Sequence, residues 1–191
     1  HFEQRHFERA LAVSEQAVEL DILPDVAHQD AARAAAQVGD FVAVGKPLRT
    51  ADRISPPSRR AFHYWTLGGL ALVAGRYADA IGALERAARW GTRDKPLYQG
   101  HLAVAKRAAG LRVSGLKGYY DRLSAVPAAP RYGRFVLGLL AVYRGRPDDA
   151  AHHLAAFVRR TKSGRKVMEL ALGGELAWAE RVLAALRGEP D

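Results

Sequence analysis

The sequence predicts an all-α protein, and specifically an α-solenoid of stacked helical hairpins. Ala, Arg and Leu dominate the 191 residues, and β-branched residues form no alternating runs. Apolar residues recur at helical spacing within segments of helix length, and Gly or Pro separates these segments. Matching positions return after 34 to 36 residues, which is the period of an array whose repeating unit is one helical hairpin.

The stretch 64–90 is the clearest of these hairpins. Its sequence is YWTLGGLALVAGRYADAIGALERAARW, in which Gly75 separates two helical patterns. Glycine accepts the left-handed conformation that ends many helices, so a tight turn is predicted there. The patterned positions of the two helices are Leu67, Gly68, Ala71, Tyr77, Ala80, Leu84 and Ala87. Because several of them are small, the two helix backbones are expected to approach closely.

The segment from 134 to 158 repeats this pattern. The residues that match at a constant offset of 70, which is two repeat lengths, are Leu137, Gly138, Ala141, Gly145, Pro147, Ala150, Leu154 and Phe157. Pro147 suits the first position of a helix, where its missing N–H would have no partner. Asp148 and Asp149 then favour the positive end of that helix. A second hairpin of the same kind is therefore predicted.

This pattern resembles the tetratricopeptide repeat. The residues in the signature positions of that family are Tyr64, Leu67, Gly68, Gly75, Tyr77, Ala80, Leu84 and Ala87. The resemblance implies a right-handed superhelix, with approximate units at 1–24, 25–57, 58–95, 96–130, 131–163 and 164–191. A single hairpin cannot bury its apolar face alone, so stacking of neighbours would supply the stability.

The other units match less well. Pro47 interrupts the second helix of the unit 25–57. In the unit 96–130, glycines at 110, 115 and 118 are expected to weaken a helix. The last pair of helices is predicted at 167–172 and 175–186, with Trp178 facing either the preceding repeat or solvent.

The resemblance also implies a binding surface. In the family, the first helices of successive repeats line a concave groove that contacts a partner peptide or helix. The positions carried over onto this sequence are Phe62, Trp65, Thr66, Gly69, Leu72, Tyr132, Phe135, Val136, Leu139 and Tyr143, with His101 and Arg107 as candidates in the repeat between. The alternative is that these side chains pack against neighbouring helices. The chain lacks Asn, so the Asn-based clamp for chaperone tails is not expected.

A second candidate surface is basic. Twenty-nine Lys and Arg against twenty Asp and Glu give a net charge of +9 and a pI near 10.2. Five of the cations cluster in one predicted loop region: Arg159, Arg160, Lys162, Arg165 and Lys166. They offer an alternative function, binding to nucleic acid or an anionic surface. A solvated loop is the competing interpretation, and the excess of Arg over Lys is also typical of a GC-rich, bacterial genome.

Nothing in the sequence predicts catalysis, a cofactor or a metal. The nucleophile elbow, phosphate loop, HExxH and GxGxxG motifs are absent. His152 and His153 are adjacent, so on a helix they point about 100° apart and do not chelate one ion. Because the apolar runs are short, membrane insertion is not expected. The sequence predicts a non-enzymatic, cytoplasmic adaptor with another protein as partner, and the absence of an initial Met suggests a piece of a longer chain.

Overall fold

The computed structural model of the protein describes residues 57–92, 94–126, 132–164 and 166–188, and these residues are helical without any strand. The helices are α1 (Pro57–Val73), α2 (Tyr77–Trp90), α3 (Lys95–Ala108), α4 (Leu116–Ser124), α5 (Gly133–Tyr143), α6 (Pro147–Lys162), α7 (Lys166–Ala171) and α8 (Gly173–Arg187). The all-α prediction is thus confirmed for the described part of the chain. The repeats predicted within 1–56, and Arg165, lie outside it.

Three hairpin turns share one geometry. Gly75, Gly110 and Gly145 follow α1, α3 and α5 with φ of +73°, +78° and +66°, so they recur every 35 residues. Each glycine N–H bonds the carbonyl three residues back, and the next N–H bonds the carbonyl five residues back, over 2.8–3.0 Å. These paired bonds satisfy the last carbonyls of the helix and require a residue that tolerates positive φ.

The turn geometry corrects one expectation for the unit 96–130. Gly110 ends α3, and Gly115 (φ +68°) precedes α4, so neither lies inside a helix. Only Gly118 occupies a helix interior, as predicted. The break at Gly75 and the start of a helix at Pro147 are both confirmed.

Two glycines allow the paired helices to approach. A Cβ atom at Gly68 would lie 2.5 Å from Cγ of Leu84 on α2, and one at Gly138 would lie 2.5 Å from Cγ of Leu154 on α6. Real Cβ atoms do not come so close to a neighbour, so the positions need glycine unless the leucine moves. The same contact therefore occurs twice at the offset of 70 that the sequence predicts.

Successive helices pack against one another. α1 packs on α2, α2 on α3, α3 on α5, and α5 on α6, while α4 lies against both α3 and α5. α8 contacts α6 and also returns to α1. None of the helices described has both the length and the apolar character needed to cross a membrane.

Helix α8 covers part of α1 and part of α5. A Cβ at Gly174 would lie 2.8 Å from Cγ2 of Val73, so α8 begins almost in contact with the end of α1. Trp178 packs its ring edge against Phe135 with 5.8 Å between the ring centroids. Of the two orientations predicted for Trp178, the structure shows the one directed at the preceding repeat.

Candidate functional site

The described residues line a half-open cavity of about 450 Å³ between α1, the start of α5, and α6 to α8. Its lining is Phe62, Trp65, Thr66, Gly69, Leu70, Tyr132, Phe157, Arg160, Thr161, Gly164, Ala171, Leu172 and Glu175. A mainly apolar wall with a few polar groups is typical of sites for small ligands or anchoring side chains, and the volume lies within their usual range. This cavity is the strongest candidate site in the described part of the chain.

The residues predicted to face a groove have three different positions. Five of the ten line the cavity: Phe62, Trp65, Thr66, Gly69 and Tyr132. Four others, Leu72, Phe135, Val136 and Leu139, are each no more than 2% exposed. The tenth, Tyr143, lies under the guanidinium of Arg107, 5.4 Å from its ring centroid, and does not line the cavity.

The burial of those four side chains corrects the expectation that they contact a partner. Phe135 is enclosed by Phe157 of α6 and Trp178 of α8, at centroid distances of 5.3 and 5.8 Å. Their role is therefore packing, which the sequence analysis had left as the alternative. Among the lining residues, Phe62 on α1 keeps 39% of its surface exposed, and Arg160 and Gly164 at the end of α6 are exposed as well.

The wall formed by α1 is held by a buried hydrogen bond to α3. The indole Nε1–H of Trp65 donates to Nδ1 of His101 over 3.0 Å. Burial lowers the pKa of His101 to about 3, so the ring is neutral near pH 7. Because Nδ1 accepts, the proton resides on Nε2, which has no hydrogen-bond partner among the described residues. A ring with so low a pKa is a poor general base, and its position indicates a structural role.

A second hydrogen bond joins the opposite walls. The Tyr132 hydroxyl donates to Oε1 of Glu175 over 3.0 Å, which ties the residue before α5 to α8. The Tyr132 ring also stands nearly perpendicular to that of Trp65, at 80° and 4.7 Å between centroids. Edge-to-face pairs of this kind are favourable beyond the area they bury. The aromatic wall is therefore fixed from two sides.

The five cations of the predicted basic surface are not equivalent. Lys162 is paired with Glu180 at 2.6 Å and Lys166 with Glu169 at 2.9 Å. Arg159 and Arg160 lie exposed in the last turn of α6, and no carboxylate of the described residues pairs with either. Of the four cations that the structure describes, only Arg160 lines the cavity.

Several lining residues escaped the sequence analysis. Phe157 was assigned to a second helix, Arg160 to the basic surface and not to the groove, and Glu175 to no role. They meet the α1 side only because α8 folds back onto α1. The period of the sequence does not encode this return, since it specifies neighbours one repeat apart and nothing more distant.

Metal ligands do not converge in this part of the protein. Among the described residues, no three His, Asp or Glu side chains are grouped so that they could hold an ion. The rings of His152 and His153 are in contact, but Nε2 of His153 is hydrogen-bonded to the Tyr120 hydroxyl at 2.8 Å. His153 thus links α6 to α4, while His152 lies 3.5 Å from a guanidinium nitrogen of Arg134 on α5.

Comparison with known proteins gives no family assignment. No family model matches the chain, and neither the curated proteins nor the solved structures contain a significant match. The cavity and its contacts are therefore the basis for any functional argument.

Proposed function

We propose that this chain is a non-enzymatic interaction module, built of tetratricopeptide-like hairpins, that binds a partner peptide or helix in the cavity beside α1. The observation that carries the proposal is the cavity itself, with Phe62 exposed at its edge and Trp65 and Tyr132 in its wall. Aromatic anchors in desolvated pockets dominate the energy of many protein interfaces. An exposed aromatic next to a preformed pocket fits that role.

Repetition supports the same proposal. The turns at Gly75, Gly110 and Gly145 recur every 35 residues, and the close contacts of Gly68 and Gly138 recur at the corresponding positions. Arrays of such hairpins commonly present extended surfaces to other proteins.

A random-peptide library displayed on phage, selected against the immobilised protein, tests the proposal. Phe62→Ala removes the exposed anchor, and Ala171→Trp fills the cavity from α7. Tyr77→Ala is the matched control, because Tyr77 is also 39% exposed and does not line the cavity. Selected peptides should bind the wild type and the Tyr77 variant alike.

The two cavity variants should bind those peptides with an affinity lower by about tenfold or more, which corresponds to loss of an interface anchor. Circular dichroism melts verify that each variant is folded. Equal binding to all four proteins would contradict the proposed site, and so would an equal loss with Tyr77→Ala.

The alternative function, binding to nucleic acid or an anionic surface, has less support. Two of its five cations, Lys162 and Lys166, already have carboxylate partners. Phosphate binding would have to displace these, while Arg159 and Arg160 remain available. If this alternative is correct, affinity for a nucleic acid falls steeply with added salt and falls further in an Arg159→Gln/Arg160→Gln double variant.

A further inference from the structure

Arg160 lines the cavity and has no carboxylate partner among the described residues, and we infer that the cavity binds an apolar side chain that lies next to a carboxylate. This inference rests on the proposed function and specifies the chemistry of the peptide that the same site would bind. It depends on two features of the described residues, the composition of the cavity wall and the lack of a carboxylate partner for Arg160.

The wall determines the apolar part of the ligand. Phe62, Trp65, Tyr132 and Phe157 surround the space with ring faces and edges, and Leu70 and Leu172 add aliphatic surface. The two threonine hydroxyls of the wall, Thr66 and Thr161, donate to backbone carbonyls of their own helices over 3.0 and 2.9 Å. Their donor hydrogens are thus already used, and an aromatic or large aliphatic side chain is the group this space accommodates.

Arg160 determines the charged part. Some of the described surface cations have carboxylates within ion-pair distance, as Lys106 has Glu85 and Lys162 has Glu180, whereas others, such as Arg89 and Arg159, have none among the described residues. Arg160 belongs to the second group, and of the described cations it alone lines the cavity. A guanidinium presents its donors in a planar fork that matches a carboxylate. A ligand carboxylate at this side would therefore complete the site.

Glu175 restricts where that carboxylate lies. It is part of the same wall and accepts the hydrogen bond of the Tyr132 hydroxyl. A second carboxylate beside it would be repelled, so the anionic group of the ligand must lie on the Arg160 side and the apolar group must fill the space between. A cationic ligand directed at Glu175 is the opposite arrangement, and the test separates the two.

Three small probes that share one phenyl group and differ in charge make this test: 4-phenylbutyrate, 4-phenylbutyramide and 4-phenylbutylamine. The protein has three tryptophans, so its indole N–H signals in a ¹H–¹⁵N spectrum are few. Trp90→Phe and Trp178→Phe assign the Trp65 signal, which reports on the cavity wall. Titration of each probe gives its dissociation constant.

The carboxylate should bind about three- to tenfold more tightly than the amide at low salt, and the amine most weakly, as expected for one partly exposed ion pair. Arg160→Gln should abolish the preference of the carboxylate over the amide. Arg159→Gln is the matched control, because Arg159 is exposed on the same helix turn and does not line the cavity. It should keep the preference.

Equal affinities of carboxylate and amide would overturn the inference, as would tighter binding of the amine, or an equal effect of the two arginine variants. Failure of every probe to shift the Trp65 signal at millimolar concentration would overturn it as well. The proposed function has its own test. If the peptides selected from the library lose affinity with Ala171→Trp but carry no enriched acidic group, the function stands and only the ligand chemistry is wrong.

Discussion

The indole of Trp65 donates a 3.0 Å hydrogen bond to the imidazole of His101, which lies 36 residues later, about one repeat further along the chain. The bond crosses from α1 to α3 inside the protein, where His101 is fully buried. Its two rings also meet edge to face at 6.3 Å between centroids. The pair therefore links two hairpins and at the same time supports the cavity wall.

This pair predicts that acid destabilises the protein. Burial depresses the pKa of His101 from 6.5 to about 3, so the folded state keeps the ring neutral while the unfolded chain protonates it below about pH 6.5. The unfolded state then binds more protons, and stability declines as the pH falls from 6.5 toward 3. At pH 5 the loss from this residue is about 2 kcal/mol. Urea unfolding between pH 5 and 8 measures it.

His101→Asn is the control for this prediction. The Asn side-chain oxygen occupies roughly the place of Nδ1 and still accepts the Trp65 N–H, but it does not titrate. The variant is expected to be less stable than the wild type at pH 8, and the difference should shrink as the pH falls to 5. A difference independent of pH would show that His101 is not the residue responsible.

Local rules predict the hairpins well from the sequence. The stop at Gly75, the start at Pro147 and the small residues at Gly68 and Gly138 follow from turn chemistry and helical period, and the structure has each of them. Gly110 was misjudged because its neighbours lack the signature residues. Its spacing of 35 residues from Gly75 was the signal that would have identified the turn.

The candidate site was predictable only in part. Phe62, Trp65 and Tyr132 occupy equivalent or neighbouring positions in their repeats, so the pattern selects them. Arg160 and Glu175 belong to other elements and join the site through the contact of α8 with α1. A contact between helices so far apart in sequence depends on how all the intervening helices pack, which a repeat period does not specify.

Adjacent glycines in α1 are expected to respond in opposite directions to the same change. Gly68→Ala places a Cβ 2.5 Å from Cγ of Leu84 and 3.2 Å from the carbonyl of Ala80, so it should destabilise the protein by about 1–3 kcal/mol through overpacking. The new Cβ of Gly69→Ala would contact only His101 Cε1, at 3.4 Å, and the Tyr132 hydroxyl oxygen, at 3.5 Å. It should be neutral, or stabilising by up to about 1 kcal/mol, because Ala favours the helix.

Denaturant midpoints of the two variants measure this contrast. Each variant is the control for the other, since both add one methyl to the same helix. A shift of both midpoints in the same direction would mean that Leu84 yields to the new methyl, or that the wall near His101 is tighter than the distances indicate.

The turn at Gly110 predicts a further contrast. Gly110→Ala forces a residue with a Cβ to adopt φ near +78°. This should lower the free energy of unfolding by about 1–2 kcal/mol, although no atom lies within 4 Å of the new methyl. Gly82→Ala also meets no atom within 4 Å, but Gly82 lies within α2 at ordinary helical φ, so this change should stabilise by up to about 1 kcal/mol. Because neither new methyl has a neighbour within 4 Å, the difference between the melting temperatures of the two variants measures the effect of backbone conformation without that of packing. Similar melting temperatures would contradict the left-handed turn.

Truncation of two aromatic residues should distinguish the predicted groove residues that are buried in the core from those that are exposed. Phe135→Ala removes a fully buried ring that contacts Phe157 and Trp178, so a loss of about 3–5 kcal/mol is expected. Phe62→Ala removes a ring that is 39% exposed, and about 1 kcal/mol or less should be lost. Chemical unfolding gives both values. A costly Phe62→Ala would place that ring in the core and remove the accessible anchor from the proposed site, whereas a mild Phe135→Ala would mean that α8 does not cover α5 in solution.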